Sequence, residues 1–443
     1  MTRTRIAAAG VLAVAAVALL VAGLAGAKTS SATGTGAQAQ NLAVSGSISF
    51  DGIWTASSGQ KQFADVIKAF NKIYPNVHVN YKPVGNDLPT VLATAVAGGH
   101  PPDMADVAQP GTIQQFVNQG KLKPITYATG VLSQNFAPAW KALGTFNGKL
   151  YALPFKAANK SLIWYNVPAF KAAGITPPKT WAQLLTAAKT LKASGTPAYS
   201  IGGADGWTLT DLFENLYLRT AGPQKYDQLT KHEIPWTDPS VKTALTDMAQ
   251  VLSDTGNIYG GTNGALQTDF PTAVGYVLAT KPKAAQVIEG DFVPAQLTTV
   301  PIKPVTGYNE FTFPAVNGSS PSVVGAGNLV ITFNDNPAID AFVKFLATPA
   351  AALPWIKAGG FVSANKKVAA SAYTDPILRK AAQDLTHATT FKFDMSDQQP
   401  IAFGGTTGQG EWKIFQDFLK NPSNVNGTAS ALESAAAKAY KSS

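Results

Sequence analysis

The sequence contains no cysteine among its 443 residues. Without thiols the chain cannot form disulfide bonds, hold zinc through thiolates, carry a thioether-linked lipid or use a cysteine nucleophile. Histidine is also scarce, and the four histidines share no metal-ligand spacing: His78, His100, His232 and His387. We therefore predict no metal site and no thiol chemistry.

Catalytic motifs are missing as well. The chain has neither a G-x-S-x-G nucleophile elbow nor an H-E-x-x-H zinc motif. The glycine-rich segment 404–410 lacks the Lys-Ser/Thr pair that completes a phosphate-binding loop. The 26 acidic residues allow the two carboxylates of a glycosidase by number alone, but no motif selects a pair. We predict a protein that is not an enzyme and needs no cofactor, with an exported glycoside-acting enzyme as an alternative.

Basic residues outnumber acidic ones, 35 to 26, which gives a net charge of +9. They are spread along the whole chain, and no five of them are consecutive. Nucleic-acid-binding segments usually concentrate their lysines and arginines, so this distribution gives little support to such a function. We expect a solvated basic surface that faces an anionic cell envelope.

The N-terminus has the three parts of a secretory signal peptide. Arg3 and Arg5 precede an apolar segment over 6–24, and Ala25-Gly-Ala27 forms an A-x-A cleavage site. We predict a signal peptide over 1–27 and a flexible linker over 28–46, because the latter is rich in Ala, Gly, Ser, Thr and Gln. The alternative is an uncleaved segment that stays in the membrane as an anchor.

The remaining chain is long enough for two lobes and follows an α/β pattern. Alternating residues at 47–50, 77–81 and 103–107 predict strands, and helical spacing of apolar residues separates them. This order is typical of a mostly parallel sheet covered by helices. Later helices have clear N-terminal signals, namely Thr180 with Gln183, Asp238, Asn336 and Asp375. A strand over 329–333 follows a long helix-rich stretch.

Several short segments, in this order, carry a family resemblance: 70–77 (FNKIYPNV), 98–103 (GGHPPD), 120–125 (GKLKPI), 147–154 (NGKLYALP), 162–166 (LIWYN), 174–181 (GITPPKTW) and 342–349 (FVKFLATP). Together they resemble the family 1 extracellular solute-binding proteins of carbohydrate ABC transporters, which are similar to maltose-binding protein. The resemblance covers residues 47 to 420.

The resemblance implies a periplasmic-binding-protein-like fold of two α/β lobes, with three hinge crossings and a ligand cleft between the lobes. We expect the crossings near 155–161, 322–327 and 390–397. The predicted lobes are therefore discontinuous: 47–158 with 323–390 for the N-terminal lobe, and 159–322 with 391–443 for the C-terminal lobe. The strand over 329–333 returns to the first lobe in this arrangement.

Two positions depart from the family pattern. Many Gram-positive members carry a lipidated cysteine, and here Ala27 follows Leu24-Ala-Gly26 in its place. Asp291 and Phe292 follow Gly290 where many relatives have a glycine followed closely by tryptophan. The first departure leaves open whether the protein is released or anchored.

Sugar sites need flat aromatic platforms with polar groups around their edge. Trp207 lies in a polar, glycine-rich loop before a helix, and Trp412 opens an amphipathic helix where the family's maltose-binding relatives place a sugar-stacking tryptophan. Strand-end loops add the other candidates. The predicted ligand-binding residues are Trp54, Ser57, Gln109, Trp207, Asp291, Phe292 and Trp412.

The function that the resemblance implies is capture of a sugar or oligosaccharide by hinge closure, with delivery to an ABC permease in the membrane. We expect an exported monomer at the extracellular face of the cytoplasmic membrane, in the periplasm or in the cell wall space. The same fold binding a polyamine, a peptide or a metal remains an alternative.

Overall fold

The computed structural model describes residues 41–56, 59–297 and 299–441. The predicted signal peptide, residues 28–40 of the predicted linker and Ser57 lie outside the described residues. Within the predicted linker, residues 41–43 are helical, and the first strand begins at Gly46.

The described chain contains the strands β1 (Gly46–Gly52), β2 (Val77–Pro83), β3 (Met104–Val107), β4 (Thr145–Phe146), β5 (Lys149–Leu150), β6 (Ala152–Asn159), β7 (Leu162–Asn166), β8 (Gln286–Ile288), β9 (Tyr308–Thr312), β10 (Ser322–Thr332), β11 (Val362–Ser363) and β12 (Thr390–Phe393).

Its α-helices are α1 (Gln60–Asn71), α2 (Leu88–Ala97), α3 (Pro110–Asn118), α4 (Thr129–Asn135), α5 (Pro138–Leu143), α6 (Val167–Ala172), α7 (Trp181–Ala193), α8 (Trp207–Thr230), α9 (Pro239–Leu252), α10 (Gly261–Gln267), α11 (Phe270–Val277), α12 (Pro337–Leu346), α13 (Pro349–Ala358), α14 (Pro376–His387), α15 (Met395–Gln398), α16 (Ile401–Gly404), α17 (Gly410–Lys420) and α18 (Val425–Lys441).

Two separate sheets define two lobes. The first lobe is built on a sheet of order β11-β6-β10-β3-β1-β2, with β12 beside β10, and the second on a sheet of order β8-β7-β9. The predicted α/β fold of two lobes is confirmed. The parallel pairing holds for β1 with β2 and β3, but β10 is antiparallel to β3 and β6, and β7 is antiparallel to both neighbours. The first sheet is mixed because β6 leaves the first lobe and β10 returns to it.

The helix-start signals read from the sequence are confirmed. The hydroxyl of Thr180 accepts the N–H of Gln183, whose side chain accepts the N–H of Thr180 in return. The side chains of Asp238, Asn336 and Asp375 each accept a backbone N–H in the first turn of α9, α12 and α14. These bonds satisfy donors that have no partner within the helix.

The chain passes between the lobes three times. It leaves the first sheet at the end of β6 and enters the second at β7, it returns between β9 and β10, and it leaves again after β12 for α15. These passages contain the expected crossings near 155–161, 322–327 and 390–397. The exact lobe boundaries given above stay a prediction.

One face of α8 holds the first crossing. Asp211 and Asn215 lie four residues apart, so their side chains share a face of the helix. Asp211 accepts from the ammonium of Lys160 at 3.0 Å, and the amide of Asn215 donates to the carbonyl of Lys160 at 2.9 Å. The hydroxyl of Ser161 donates to Asn215 at 2.6 Å.

The same face of α8 reaches the other two crossings. The guanidinium of Arg219 donates to the carbonyl of Ser322, where β10 begins, at 2.8 Å. The carboxylate of Glu214 accepts the backbone N–H groups of Met395 and Ser396 at 2.7 and 3.0 Å, directly after β12. A single helix of the second lobe therefore holds all three crossings in register.

We searched residues 41–56, 59–297 and 299–441 for possible membrane spans. None of the helices there is, by itself, long and apolar enough to cross a bilayer, and one bent pair, α12 with α13, meets the criteria of length and composition.

Candidate functional site

A cleft of about 350 Å³ lies between the two lobes. Its first-lobe wall comes from the loops that follow β1, β2 and β3, from β6 and β10, and from Gly360. Its second-lobe wall comes from the starts of α8, α11, α15 and α17 and from the loop after β8. The strands β1 and β3 are parallel, so their carboxyl ends open on the same edge of the sheet. Ligands of open α/β sheets bind at such edges.

Three aromatic rings form one wall of the cleft. The ring of Trp207 meets Phe270 edge-on with centroids 5.0 Å apart, and Phe292 lies 6.2 Å from Trp207. The ammonium of Lys160 lies over the Trp207 ring, 5.2 Å from its centroid. Trp207 and Phe292 are only partly buried, so they offer apolar surface to a ligand. The structure brings these two predicted residues together, and it adds Phe270.

Trp412 also lines the cleft, at the start of α17. Its side chain is 4% exposed, and its indole Nε1 has no hydrogen-bond partner in the described part of the chain. Gly206 packs against it so closely that a Cβ there would approach the Trp412 Cβ to 2.8 Å, and the φ of Gly206 is +80°. This glycine therefore lets the tryptophan stand beside Trp207.

Trp54 touches the cleft but belongs mainly to the core of the first lobe. It is 4% exposed and packs edge-on against Trp355 with centroids 4.7 Å apart. The hydroxyl of Tyr81 exchanges hydrogen bonds with its backbone N–H and carbonyl. Trp54 thus offers an edge of its ring to the cleft, while most of the ring stabilises the lobe.

Gln109 follows β3 and is buried at the base of the cleft. Asp397, which is near Gln109 and lies beyond the third crossing, also lines the cleft. Burial, together with the nearby charge of Asp394, raises the pKa of Asp397 well above its usual range. A protonated Asp397 can donate a hydrogen bond into the cleft, which an ionised carboxylate cannot do.

Asp291 does not line the cleft, contrary to its expected role as an acceptor for sugar hydroxyls. Its carboxylate is 1% exposed and accepts the backbone N–H of Asn159 at 2.7 Å. Burial raises the pKa of Asp291 to about 6, opposed by the positive charge of Lys156. The residue therefore joins the loop after β8 to the end of β6. Ser57, also expected to bind ligand, lies outside the described residues.

The sequence candidates omitted several polar residues that the structure places in the cleft, among them Lys156, Lys160, Asn86 and Asn328. The signal for the lysines was present, because both belong to the segment 155–161 expected to cross between the lobes. A strand that crosses between the lobes forms the floor of the cleft, so the side chains on one of its faces can contact a ligand.

The lobes touch each other at both ends of the cleft. The side-chain amide of Asn86, in the single turn Gly85–Asp87 of the first lobe, donates to Asp205 of the second at 3.2 Å. At the other end Gly360 packs so close to Ala295 that a Cβ at position 360 would stand 2.2 Å from the Ala295 Cβ. The two lobes are therefore in contact at the Asn86–Asp205 and Gly360–Ala295 pairs, and the cavity between them remains open to solvent.

No cluster of three or more His, Cys, Asp or Glu side chains suited to a metal ion occurs among residues 41–56, 59–297 and 299–441. The acidic groups near the cleft have other partners: Asp205 accepts the backbone N–H of Phe270, and Asp269 caps α11. The arrangement is suited to holding a neutral, hydroxyl-rich molecule against aromatic surface.

Comparison with known proteins agrees with this geometry. The family described as bacterial extracellular solute-binding protein matches residues 55–353. The alpha-glucosides-binding periplasmic protein AglE of Rhizobium meliloti is 34% identical over 346 residues, which cover 74% of each chain. The osmoprotective compounds-binding protein GgtB of Synechocystis is 30% identical over 345 residues, covering 74% of this chain and 79% of the relative.

Solved structures share the fold at low identity. The bacterial solute receptor AcbH, described as having an exclusive preference for β-D-galactopyranose, aligns with a TM-score of 0.79 at 20% identity and covers 90% of this chain and all of that one. A chitin oligosaccharide binding protein aligns with a TM-score of 0.75 at 19% identity, covering 90% and 99%. At these identities the likeness establishes the fold.

Proposed function

Because the chain belongs to the bacterial extracellular solute-binding protein family, we propose that its cleft captures a carbohydrate and delivers it to a membrane permease of an ABC importer. The ligand docks between the open lobes, and rotation about the three crossings closes them over it. The closed form is the one that the permease recognises. The protein acts by binding and performs no turnover.

The observation that carries the proposal is the aromatic wall with polar groups at its rim. Trp207 and Phe292 present partly buried rings, against which the C–H face of a sugar packs, and the buried ring of Phe270 supports both. Gln109 and Asp397 supply hydrogen-bonding groups beside that wall. Relatives described as binding α-glucosides, osmoprotective compounds and β-D-galactopyranose have the same family or fold.

The size of the cleft favours a short ligand. A volume of about 350 Å³ lies near the lower end of the range of ~300–1,000 Å³ for small-molecule pockets. Contacts of the lobes at Asn86–Asp205 and Gly360–Ala295 narrow the cleft at two places. We therefore propose a monosaccharide or disaccharide, since a longer chain would have to separate one of these contacts.

The cleft gives less support to a polyamine. A polyamine site surrounds its ligand with acids and aromatic rings, whereas two lysines, Lys156 and Lys160, line this cleft. The ammonium of Lys156, which forms no ion pair in the described part of the chain, would repel an oligoamine. Spermidine therefore serves as a negative probe, and hydrolysis of any bound sugar would contradict a purely binding role.

A thermal-shift panel tests the proposal with D-glucose, D-galactose, maltose, trehalose, sucrose and spermidine. At least one sugar should raise the melting temperature in a concentration-dependent manner, because a ligand that binds only the folded state stabilises it. Trp207→Ala and Trp412→Ala should each weaken calorimetric affinity for that sugar by about 1–3 kcal/mol. Trp140→Ala, which removes a half-buried tryptophan that does not line the cleft, is the matched control.

Two outcomes would overturn the proposed function or its site. If no sugar of the panel and no wider set of oligosaccharides shifts the melting temperature, the ligand is not a carbohydrate. If a sugar binds but both cleft variants retain wild-type affinity, the aromatic wall is not its site.

We propose that the protein is an exported monomer held outside the cytoplasmic membrane, in the periplasm or the cell wall space. Mass spectrometry of the N-terminus distinguishes the two routes that the sequence allows. A chain that begins at Lys28 has been cleaved and released, whereas an intact Arg3 shows that the apolar segment is retained as an anchor.

A further inference from the structure

Two buried lysines of the first crossing face the cleft with different surroundings. Lys156 lies in β6 and Lys160 directly follows it, and both line the cavity. Their positions differ by four, an even number, so an extended backbone points both side chains to the same side. Each residue is less than one-tenth exposed.

The charge of Lys160 is compensated by two carboxylates of the protein. Its ammonium donates to Asp211 at 3.0 Å and to Asp394 at 2.6 Å. Lys156 differs, because among the described residues no carboxylate oxygen lies within 4.0 Å of its Nζ and no acceptor is hydrogen-bonded to it. Its contacts are the Phe292 ring, whose centroid is 5.4 Å away, and the more distant charges of Asp291 and Asp106.

Burial removes most of the water around the Lys156 side chain, and no acceptor among the described residues replaces it at the ammonium, which is unfavourable for a charged group. Burial lowers the pKa of Lys156, because removal from water disfavours the charged form of the amine. The group carries three N–H donors and no acceptor. These donors face the cavity, so a ligand that brings oxygen atoms there would satisfy them.

An acceptor for the ligand lies directly opposite. Asn328 in β10 is the register partner of Lys156 in β6, so the two side chains share a face of the sheet. The amide of Asn328 donates to Asp106 at 3.4 Å, which leaves its carbonyl oxygen as an acceptor. Lys156 and Asn328 thus present a donor and an acceptor side by side at the floor of the cleft.

From this pairing we infer that Lys156 is a specificity-determining residue. Its ammonium donates a hydrogen bond to a hydroxyl oxygen of the bound sugar. The side-chain carbonyl oxygen of Asn328 accepts the proton of that hydroxyl or of the vicinal one. A sugar hydroxyl is both acceptor and donor, so it matches this pair, whereas an amine or a carboxylate matches only half of it. The Phe292 ring beside the ammonium sets the distance between the stacked sugar ring and this pair. The inference rests on the proposed function and names the contact that selects the ligand.

Lys156→Met tests the inference with the tightest-binding sugar of the panel and with its monodeoxy derivatives. The variant should bind that sugar about ten- to a hundred-fold more weakly, the scale of a hydrogen bond to a charged group. Its ligand-free melting temperature should be unchanged or higher, because an unpaired buried charge has been removed. Lys121→Met, at an exposed lysine, is the matched control and should alter neither property.

The deoxy sugars make the test specific. One derivative should bind the wild type weakly but bind Lys156→Met as well as the parent sugar does, because the variant no longer contacts the missing hydroxyl. Equal affinity of Lys156→Met and wild type for the parent sugar would overturn the inference while leaving the proposed function intact. A fall in ligand-free melting temperature that accounts for the lost affinity would assign Lys156 a structural role instead. If the wild type binds no sugar at all, the proposed function fails and the inference falls with it.

Discussion

The hinge and the cleft of this protein both contain a buried lysine from the first crossing, and the two lysines have opposite surroundings. At the hinge, burial alone would lower the pKa of Lys160, but Asp211 and Asp394 raise it well above its usual range. In the cleft, the pKa of Lys156 stays lowered by burial because its carboxylates are too distant to compensate.

This difference separates a charge that holds the fold from a charge that awaits a ligand. The Lys160 ion pairs join the first crossing to the third and to α8. A group with all its partners in the protein contributes to stability, and a group with none in the protein contributes to binding. The same residue type, four positions away on the same strand face, thereby acquires a different function.

Removal of the Lys160 charge should have the largest effect. Lys160→Met leaves the carboxylates of Asp211 and Asp394 buried without their cation, which typically costs about 3–5 kcal/mol. We expect urea denaturation to show a fall in the free energy of unfolding of this size. Lys156→Met is the internal control, because it removes a buried lysine from the same strand face without breaking an ion pair.

Equal stability losses in Lys156→Met and Lys160→Met would contradict the comparison. It would mean that the distant carboxylates of the cleft hold Lys156 as firmly as the direct ion pairs hold Lys160. The two-state assumption needs checking with two probes, because two lobes can unfold separately.

Asp291 provides a second, smaller test, through pH. An aspartate in the unfolded chain has a pKa of 3.8, and burial raises the pKa of Asp291 to about 6 in the folded protein. Between these two pKa values, the Asp291 carboxyl group is therefore protonated in the folded state and ionised in the unfolded state. The contribution of this group to the free energy of unfolding is complete below about pH 4. As the pH rises through about 6, this contribution falls by about 3 kcal/mol.

Asp291→Asn should remove this pH dependence. The free energy of unfolding of the variant, relative to the wild type, should rise between pH 4 and pH 7, as measured by denaturant titration at several pH values. Parallel pH profiles for the two proteins would show that the carboxyl group is not buried as described. Asp87→Asn, at an exposed aspartate, should leave the wild-type profile unchanged.

The sequence predicted the early strands and the helix starts because these depend on local signals, whereas the two lobes and their crossings were implied by the family resemblance. Thr180 and Gln183 mark a helix start within four residues, and the alternation of strand and helix around β1 to β3 is visible in apolar spacing. Trp207 and Gln109 follow from local context, a glycine-rich loop before a helix and the end of a strand, whereas Phe292 and Trp412 rested also on the family resemblance. All four line the cleft.

The polar network of the hinge could not be predicted in this way. Lys160 and Asp394 are 234 positions apart, and Glu214 and Met395 are 181 apart, so no spacing rule connects them. Asp211, Glu214 and Arg219 lie on one face of α8, and no local signal marks that face as buried. Only the return of the chain to the first lobe, and its later departure, buries that face against the crossings.

Asp291 shows the converse error. The family resemblance put Asp291 and Phe292 where relatives have an aromatic wall of the cleft, and Phe292 does line the cleft. The side chain of Asp291 instead accepts the N–H of Asn159, which would otherwise be buried at the end of β6 without an acceptor. The need of a backbone donor in another lobe is invisible to sequence context.

The smallest effect should come from the exposed contact that closes the cleft between Asn86 and Asp205. Its hydrogen bond of 3.2 Å joins the lobes at the rim, where water competes for both groups. Asn86→Ala should therefore leave the stability of the protein unchanged and increase the dissociation rate of a bound sugar only a few-fold, the effect of ~0.5–1 kcal/mol. Stopped-flow fluorescence measures this rate. Asp87→Ala is the control, because the side chain of Asp87 is exposed and caps no helix. A wild-type dissociation rate in Asn86→Ala would show that the rim contact does not retain the ligand.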